Sequence, residues 1–290
     1  MSSKVGGILE RIYPNSRLTN VKRFSKGVIN QTYRFKVDGK ELVLRIYPKD
    51  FWKAEKEKYL YGLIKKKTDV LVPDVIASGK NFILMTMISG KELSLGNKNM
   101  IRKAGEALAK IHSIKFPYYG WIIGKQIKPK FRKWSDFLDY DISLKFKRIP
   151  NKTIKKKITA IIDDNRHLLD IKSKPCLLHK DYHPSHIIVK DEKINGVVDI
   201  EWAIAGHNEL DIAKSCSWMF AKKPELEGIF LDGYRKYGQL SKEFDSRKKF
   251  YKLINLVSAL SFSYECKHKK WCIYNLKGAE GVVNEYNKNH

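Results

Sequence analysis

Leu177-Leu178-His179-Lys180-Asp181-Tyr182-His183-Pro184-Ser185-His186-Ile187-Ile188-Val189 leads through Asp191 to Gly196 into Val197-Val198-Asp199-Ile200-Glu201-Trp202. Ile187-Ile188-Val189 and Gly196-Val197-Val198 have the make-up of two short buried strands. The polar residues between them mark a hairpin, with its turn expected over Asp191 to Gly196. A loop rich in His and Asp precedes the first strand, and the second strand ends on an aspartate. Asp181 and Asp199 therefore fall at the mouth of one small hairpin. Two carboxylates held there on rigid backbone can serve as a proton acceptor and a metal ligand.

This segment resembles the catalytic loop of the aminoglycoside phosphotransferase and choline kinase-like family. The family's loop runs His-x-Asp-x-His-x-x-Asn into an apolar strand, and its metal-binding Asp follows the next strand, often as Asp-Trp-Glu or a variant. His179, Asp181 and His183 match at the right spacing, and Asp199 and Glu201 match the second motif. One functional position departs: His186 stands where the family has its metal-binding Asn. The resemblance implies an α+β, protein-kinase-like two-lobe fold. A small antiparallel-sheet N-lobe (residues 1–87) would bind nucleotide, and a larger, mainly helical C-lobe (residues 88–290) would carry catalysis and the acceptor. It further implies Asp181 as the catalytic base, Asp199 as the ligand of Mg²⁺, and ATP or GTP as phosphoryl donor to a small-molecule hydroxyl. His179, His183 and Asp211 would support the loop. Mg²⁺ prefers hard oxygen ligands, whereas imidazole suits Mn²⁺ or Zn²⁺ better. His186 therefore keeps Mn²⁺ open, and with it the alternative of a catalytically impaired, nucleotide-binding pseudokinase or regulatory module.

The N-terminal third fits this frame. Val5 to Tyr13 reads as a short helix. Val21 to Phe24, Gln31 to Val37 and Glu41 to Tyr47 read as strands, the last two joined at the hairpin signal Asp38-Gly39. The intervening loop holds Ser25, Gly27 and Asn30, and by resemblance covers the nucleotide phosphates. Arg45 lies on the third strand, where kinases place a phosphate-pairing cation; an edge arginine in solvent is the plain alternative. Residues 50 to 67 read as a helix, with Leu60, Leu63 and Ile64 on one face. Glu57, one turn earlier, is the expected partner of Arg45, with Glu55 as fallback. Val70 to Ile76 and Asn81 to Met85 complete five strands. Thr86, Met87 and Ile88 form the linker whose backbone would meet an adenine, although Met85 and Met87 could equally be core.

Beyond the linker the pattern is helical: Asn99 to Ser113, Trp134 to Arg148, Lys152 to Leu169, and most of the chain after Gly206, with turns expected at Asp232-Gly233 and Lys277-Gly278. His112 reads as a packed structural histidine. Cys266 and Cys272, around His268, match no common zinc spacing.

The chain has 290 residues, enough for a sizeable core. Its four cysteines show no disulfide framework, and its first residues lack the apolar core of a signal peptide, so a cytoplasmic setting is expected. There is no run of eighteen apolar residues. Net charge is +26, but the lysines are spread along the whole chain without interleaved aromatics. A solvated basic surface is the preferred explanation, and a nucleic-acid partner is disfavoured though left open. Segments 122–178 and 221–290 are net basic. A polycationic acceptor would want an acidic pocket, so a neutral or anionic alcohol is expected in place of an aminoglycoside.

Overall fold

Phe35 and Val37 on one strand and Leu42 and Leu44 on the next are nearly inaccessible to solvent. Asp38 and Gly39 join those strands with φ of 47° and 80°, the left-handed pair that a two-residue hairpin requires. The computed structural model of the chain describes residues 3–24 and 29–288. Its N-terminal sheet comprises β1 (Leu18–Arg23), β2 (Gln31–Val37), β3 (Lys40–Ile46), β4 (Val75–Gly79) and β5 (Phe82–Thr86), in the order β1-β2-β3-β5-β4. Each neighbouring pair is antiparallel. Helix α1 (Ser3–Ile12) buries Val5 and Leu9 against Phe35, Leu44 and Leu84. Helix α2 (Trp52–Lys67) packs Leu60, Tyr61 and Ile64 into the cluster that holds Val43, Ile83 and Met85. The strand expected from Val70 begins only at Val75. Pro73 has no N–H to give a ladder, and the Leu71 carbonyl instead accepts from Val197 N–H at 2.9 Å, tying this stretch to the hairpin that ends on Asp199.

The linker turns sharply at Gly90, with φ of 136°; a β-carbon there would sit 2.5 Å from the Val189 carbonyl oxygen. The C-terminal region then runs through β6 (Lys91–Glu92), α3 (Lys98–His112), β7 (Gly120–Ile123), β8 (Gln126–Ile127), α4 (Trp134–Arg148) and α5 (Lys152–Asp164). Next come β9 (Cys176–Leu178), β10 (Ile187–Lys190), β11 (Lys193–Val197), β12 (Ile204–Gly206), α6 (Asn208–Met219), α7 (Glu227–Arg235), α8 (Phe244–Glu265) and α9 (Lys269–Asn287). Two small sheets, β11-β10-β6 and β8-β7-β12-β9, hold the segment from Asp181 to Asp199 among these helices. The architecture is the expected antiparallel-sheet region followed by a helical region.

Three further local expectations are corrected. The hairpin turn is only Asp191-Glu192, with φ of 48° and 55°, so β11 starts at Lys193 and Ile187 pairs with Val197. The helix expected over Lys152 to Leu169 breaks at Asn165, whose side chain donates back to Ile161 O, and resumes as a 3-10 turn over Arg166–Leu169. Asp232-Gly233 and Lys277-Gly278 lie inside α7 and α9. Gly233 marks close helix packing: a β-carbon there would come within 2.0 Å of Arg102 O on α3. Among the described residues no helix is long and apolar enough to cross a membrane.

Candidate active site

Asp211, in the first turn of α6, shapes the loop from behind. It is completely buried, and its two oxygens accept from His179 N–H at 2.7 Å and Lys180 N–H at 2.8 Å. His112 Nε2 lies 3.2 Å from the same carboxylate, while His112 Nδ1 meets Tyr234 Oη at 2.9 Å. These bonds hold Lys180 at φ 67°, a left-handed conformation that a lysine adopts only at some cost. Asp199 is likewise left-handed, φ 65°, and its N–H donates to Tyr61 Oη at 3.1 Å. Burial alone would raise Asp211, but His112, His179 and Lys180 outweigh it and keep the carboxyl below its usual range.

The loop then presents Asp181 and three histidines. His179 is buried, accepts Asp181 N–H on Nδ1 at 3.3 Å and donates from Nε2 to Val198 O at 3.1 Å. Burial drives its imidazole down to about 4, so it is a neutral strut. His183 caps the short 3-10 turn Pro184–His186 by accepting Ser185 N–H on Nδ1 at 3.3 Å. Its Nε2 stands 3.6 Å from Asp181 Oδ2. His186 spans the two acids: Nδ1 is 3.5 Å from Asp181 Oδ2, and Nε2 is 3.4 Å from Asp199 Oδ2. Lys214 of α6 donates to Asp181 Oδ1 at 2.8 Å while stacking on Trp218. Although burial would raise Asp181, Lys214 and the two histidines hold it well below the usual carboxylate range. Asp181 is therefore ionised near neutral pH.

Arg45 reaches down from β3 to the same place. Its Nη1 lies 2.7 Å from Glu57 Oε1 and 3.0 Å from Asp199 Oδ1. Tyr47 Oη donates to the other Glu57 oxygen at 2.6 Å. Burial pushes Glu57 upward against the pull of Arg45. Glu57 and not Glu55 takes this position, because α2 turns Glu57 to the sheet and leaves Glu55 exposed. Behind this pair, the Glu201 side chain accepts from Asn30 Nδ2 at 2.8 Å and lies 3.2 Å from Lys53 Nζ. Its carbonyl accepts from Lys56 Nζ at 2.7 Å. Burial and the neighbouring Lys53 lower Lys56 to about 7. Three buried polar atoms in this zone, Asn30 Oδ1, Arg45 Nε and Lys53 Nζ, have no hydrogen-bond partner among the described residues. Of these, Arg45 Nε is a buried donor lacking an acceptor, whereas Lys53 Nζ stays ion-paired with Glu201 and Asn30 Oδ1 is itself an acceptor.

The structure thus gathers Asp181, His179, His183, His186, Asp199 and Asp211 with Arg45, Glu57 and Asn30. Ser25 and Gly27 lie outside the described residues. In the linker, Thr86 N–H donates to Asp74 O at 2.9 Å and Met87 N–H to Glu41 O at 3.1 Å. Those two donors bond within the protein and are not offered to an adenine edge, a role expected of backbone groups around Thr86 to Ile88. Lys53, Lys56 and Lys214 carried no usable signal among the 57 basic residues of the sequence. Each is defined by a partner far along the chain.

The model of the phosphotransferase enzyme family (APH) matches residues 20–244, which span the sheet, the catalytic hairpin and α6. The chain belongs to this family. It is a phosphotransferase of the small-molecule kinase class. A relative of this phosphotransferase, a probable ketoamine kinase of Enterococcus faecium (strain ATCC BAA-472 / TX0016 / DO), is 28% identical over 257 residues, 81% of this chain and 86% of its own. Among solved structures, a thermostable mutant of aminoglycoside phosphotransferase APH(4)-Ia, in ternary complex with AMP-PNP and hygromycin B, superposes with a TM-score of 0.76. It is 15% identical, over 97% of this chain and 98% of that one. The macrolide 2'-phosphotransferase MphH from Brachybacterium faecium follows with a TM-score of 0.71 at 14% identity, over 96% and 98%. At such identities these structures establish that the phosphotransferase has the protein-kinase-like fold.

Proposed function

We propose that this phosphotransferase moves the γ-phosphoryl group of ATP or GTP to a hydroxyl of a small polyol, with Asp181 as the base. The observation that carries this is the single imidazole, His186, within 3.5 Å of both Asp181 and Asp199, beneath the Arg45–Glu57 pair. Phosphoryl transfer asks chiefly for positioning and charge neutralisation. Residues 1–87 would hold the nucleotide, with Asn30, Arg45 and the linker as contacts, and residues 88–290 the acceptor.

Asp181 Oδ1 is held by Lys214, which leaves Oδ2 to orient an acceptor hydroxyl and take its proton. Arg45, fixed by Glu57, offers Nε to phosphate oxygens. Asp199 Oδ2 and His186 Nε2 are the atoms that would hold a divalent cation, and their 3.4 Å separation suits two ligands of one ion. Such a cation, when bound, neutralises charge on the phosphates. Lys214 and the exposed face of Trp218 border the base and favour a neutral or anionic polyol over a polycation. The ketoamine kinase of E. faecium makes ketosugar derivatives the first acceptors to try.

Nucleotide diphosphate release with a panel of ketoamines and sugar alcohols tests the proposal. Asp181→Asn is expected to cut acceptor-dependent release by about 10³-fold or more while nucleotide affinity changes little. Equal turnover in the variant would refute the assignment.

A further inference from the structure

The hydrogen bonds of the catalytic loop assign, for neutral imidazoles, which ring nitrogen is free. A backbone N–H can only donate and a carbonyl can only accept. His179 uses both ring nitrogens within the protein, Nδ1 for Asp181 N–H and Nε2 toward Val198 O. His183 accepts on Nδ1 from Ser185 N–H, so its hydrogen is on Nε2, facing Asp181 Oδ2. His186 is the reverse. Its Nδ1 is 2.8 Å from Asp181 O, so a hydrogen is on Nδ1, and in the neutral imidazole the lone pair is then on Nε2. That lone pair is aimed at Asp199 Oδ2, 3.4 Å away. Asp199 Oδ1 is occupied by Arg45, so Oδ2 is the oxygen left to bind.

A lone pair and a carboxylate oxygen set face to face repel unless a proton or a cation lies between them. Two ligand bonds of about 2.1 Å meeting at a tetrahedral to octahedral angle span roughly 3.0–3.4 Å, which is the separation found here. The His183 ring, centred 4.0 Å from that of His186, holds the imidazole plane in place. Ligand atoms of Asp181, His183 and His186 also lie within 4.8 Å of one another. That trio is unsuited to a metal, because His183 Nε2 and His186 Nδ1 both carry hydrogens in this network.

We propose that His186 Nε2 and Asp199 Oδ2 form a mixed nitrogen–oxygen site for the nucleotide-bridging cation, and that this site selects Mn²⁺ over Mg²⁺. The inference rests on the phosphotransferase reading above. Imidazole is a good donor to Mn²⁺ and to later first-row ions, and a poor one to the hard, strongly hydrated Mg²⁺.

The test is pulsed EPR on the full chain with Mn²⁺ and ADP, whose phosphates carry no nitrogen, together with calorimetric titration of ADP in Mn²⁺ and in Mg²⁺. Electron spin-echo modulation from one directly bound ¹⁴N is expected for the wild type and should vanish in His186→Asn, which still binds Mn²⁺-ADP. The wild type should bind Mn²⁺-ADP at least about tenfold tighter than Mg²⁺-ADP, and His186→Asn should close that gap. An oxygen-only spectrum from a wild-type protein that binds Mn²⁺-ADP would overturn the proposal, with His186 then a simple ion-pair partner of Asp199. No affinity for ADP with either cation would overturn the nucleotide-dependent reading itself, and this inference with it.

Discussion

Asp211→Asn removes one negative charge without changing shape, so its cost can be worked from the contacts. The carboxylate accepts two backbone N–H bonds, at 2.7 and 2.8 Å, from a fully buried position. An amide keeps one acceptor oxygen and turns an NH₂ group toward the other donor. One charge-assisted bond is lost, worth about 1.5–3 kcal/mol, and one buried N–H loses its partner, at about 1–3 kcal/mol. The left-handed Lys180 backbone then loses half of its restraint. Overlap between these terms makes a net destabilisation of about 3–5 kcal/mol reasonable, which lowers Tm by roughly 5–8 °C for a chain of this size. The sign with pH follows from the depressed carboxyl. Stability from the ionised form is fully present above the ordinary carboxylate pKa and is lost as pH falls through the lowered one. The gap between wild type and variant should therefore be constant from pH 6 to 8 and should narrow only below about pH 4. Urea unfolding and calorimetry at several pH values measure it. A variant within 1 kcal/mol of wild type at pH 7 would show that Asp211 does not hold the loop.

Lys214→Met keeps the stem on Trp218 and removes the cation from Asp181. It should lower kcat/KM by about tenfold and move the Asp181 carboxyl ¹³C titration up toward the ordinary range; an unmoved titration would deny Lys214 its role. Gly233→Ala inserts a methyl that would fall 2.0 Å from Arg102 O, so α3 and α7 must separate. A loss of about 2–4 kcal/mol in urea unfolding is expected, and a neutral result would mean the helices part freely.

What the sequence disclosed depended on how local each signal was. Asp181 and Asp199 were legible because one hairpin carries both, and Glu57 because helical spacing turns it toward the sheet one turn before Leu60. Lys53 and Lys56 were not legible. Glu201, on a distant segment, accepts from Lys56 and lies beside Lys53. Asn30 meets the same glutamate from 171 residues away. Lys214 resembled any other surface lysine until α6 placed it on Asp181. Gly233 misled in the opposite sense: Asp-Gly is a strong turn signal, yet here the missing side chain serves the approach of two helices. The extended Val70–Val72 stretch was apolar enough for a strand, but Pro73 and the bond to Val197 assign it to the catalytic hairpin.

Transfer of a terminal phosphoryl group to an alcohol can be followed atom by atom by ³¹P NMR. With ATP, a divalent cation and a ketosugar-type acceptor, the γ resonance should fade as a phosphate monoester resonance grows in equal amount. Appearance of inorganic phosphate alone, or of no new resonance under conditions where nucleotide is bound, would contradict it.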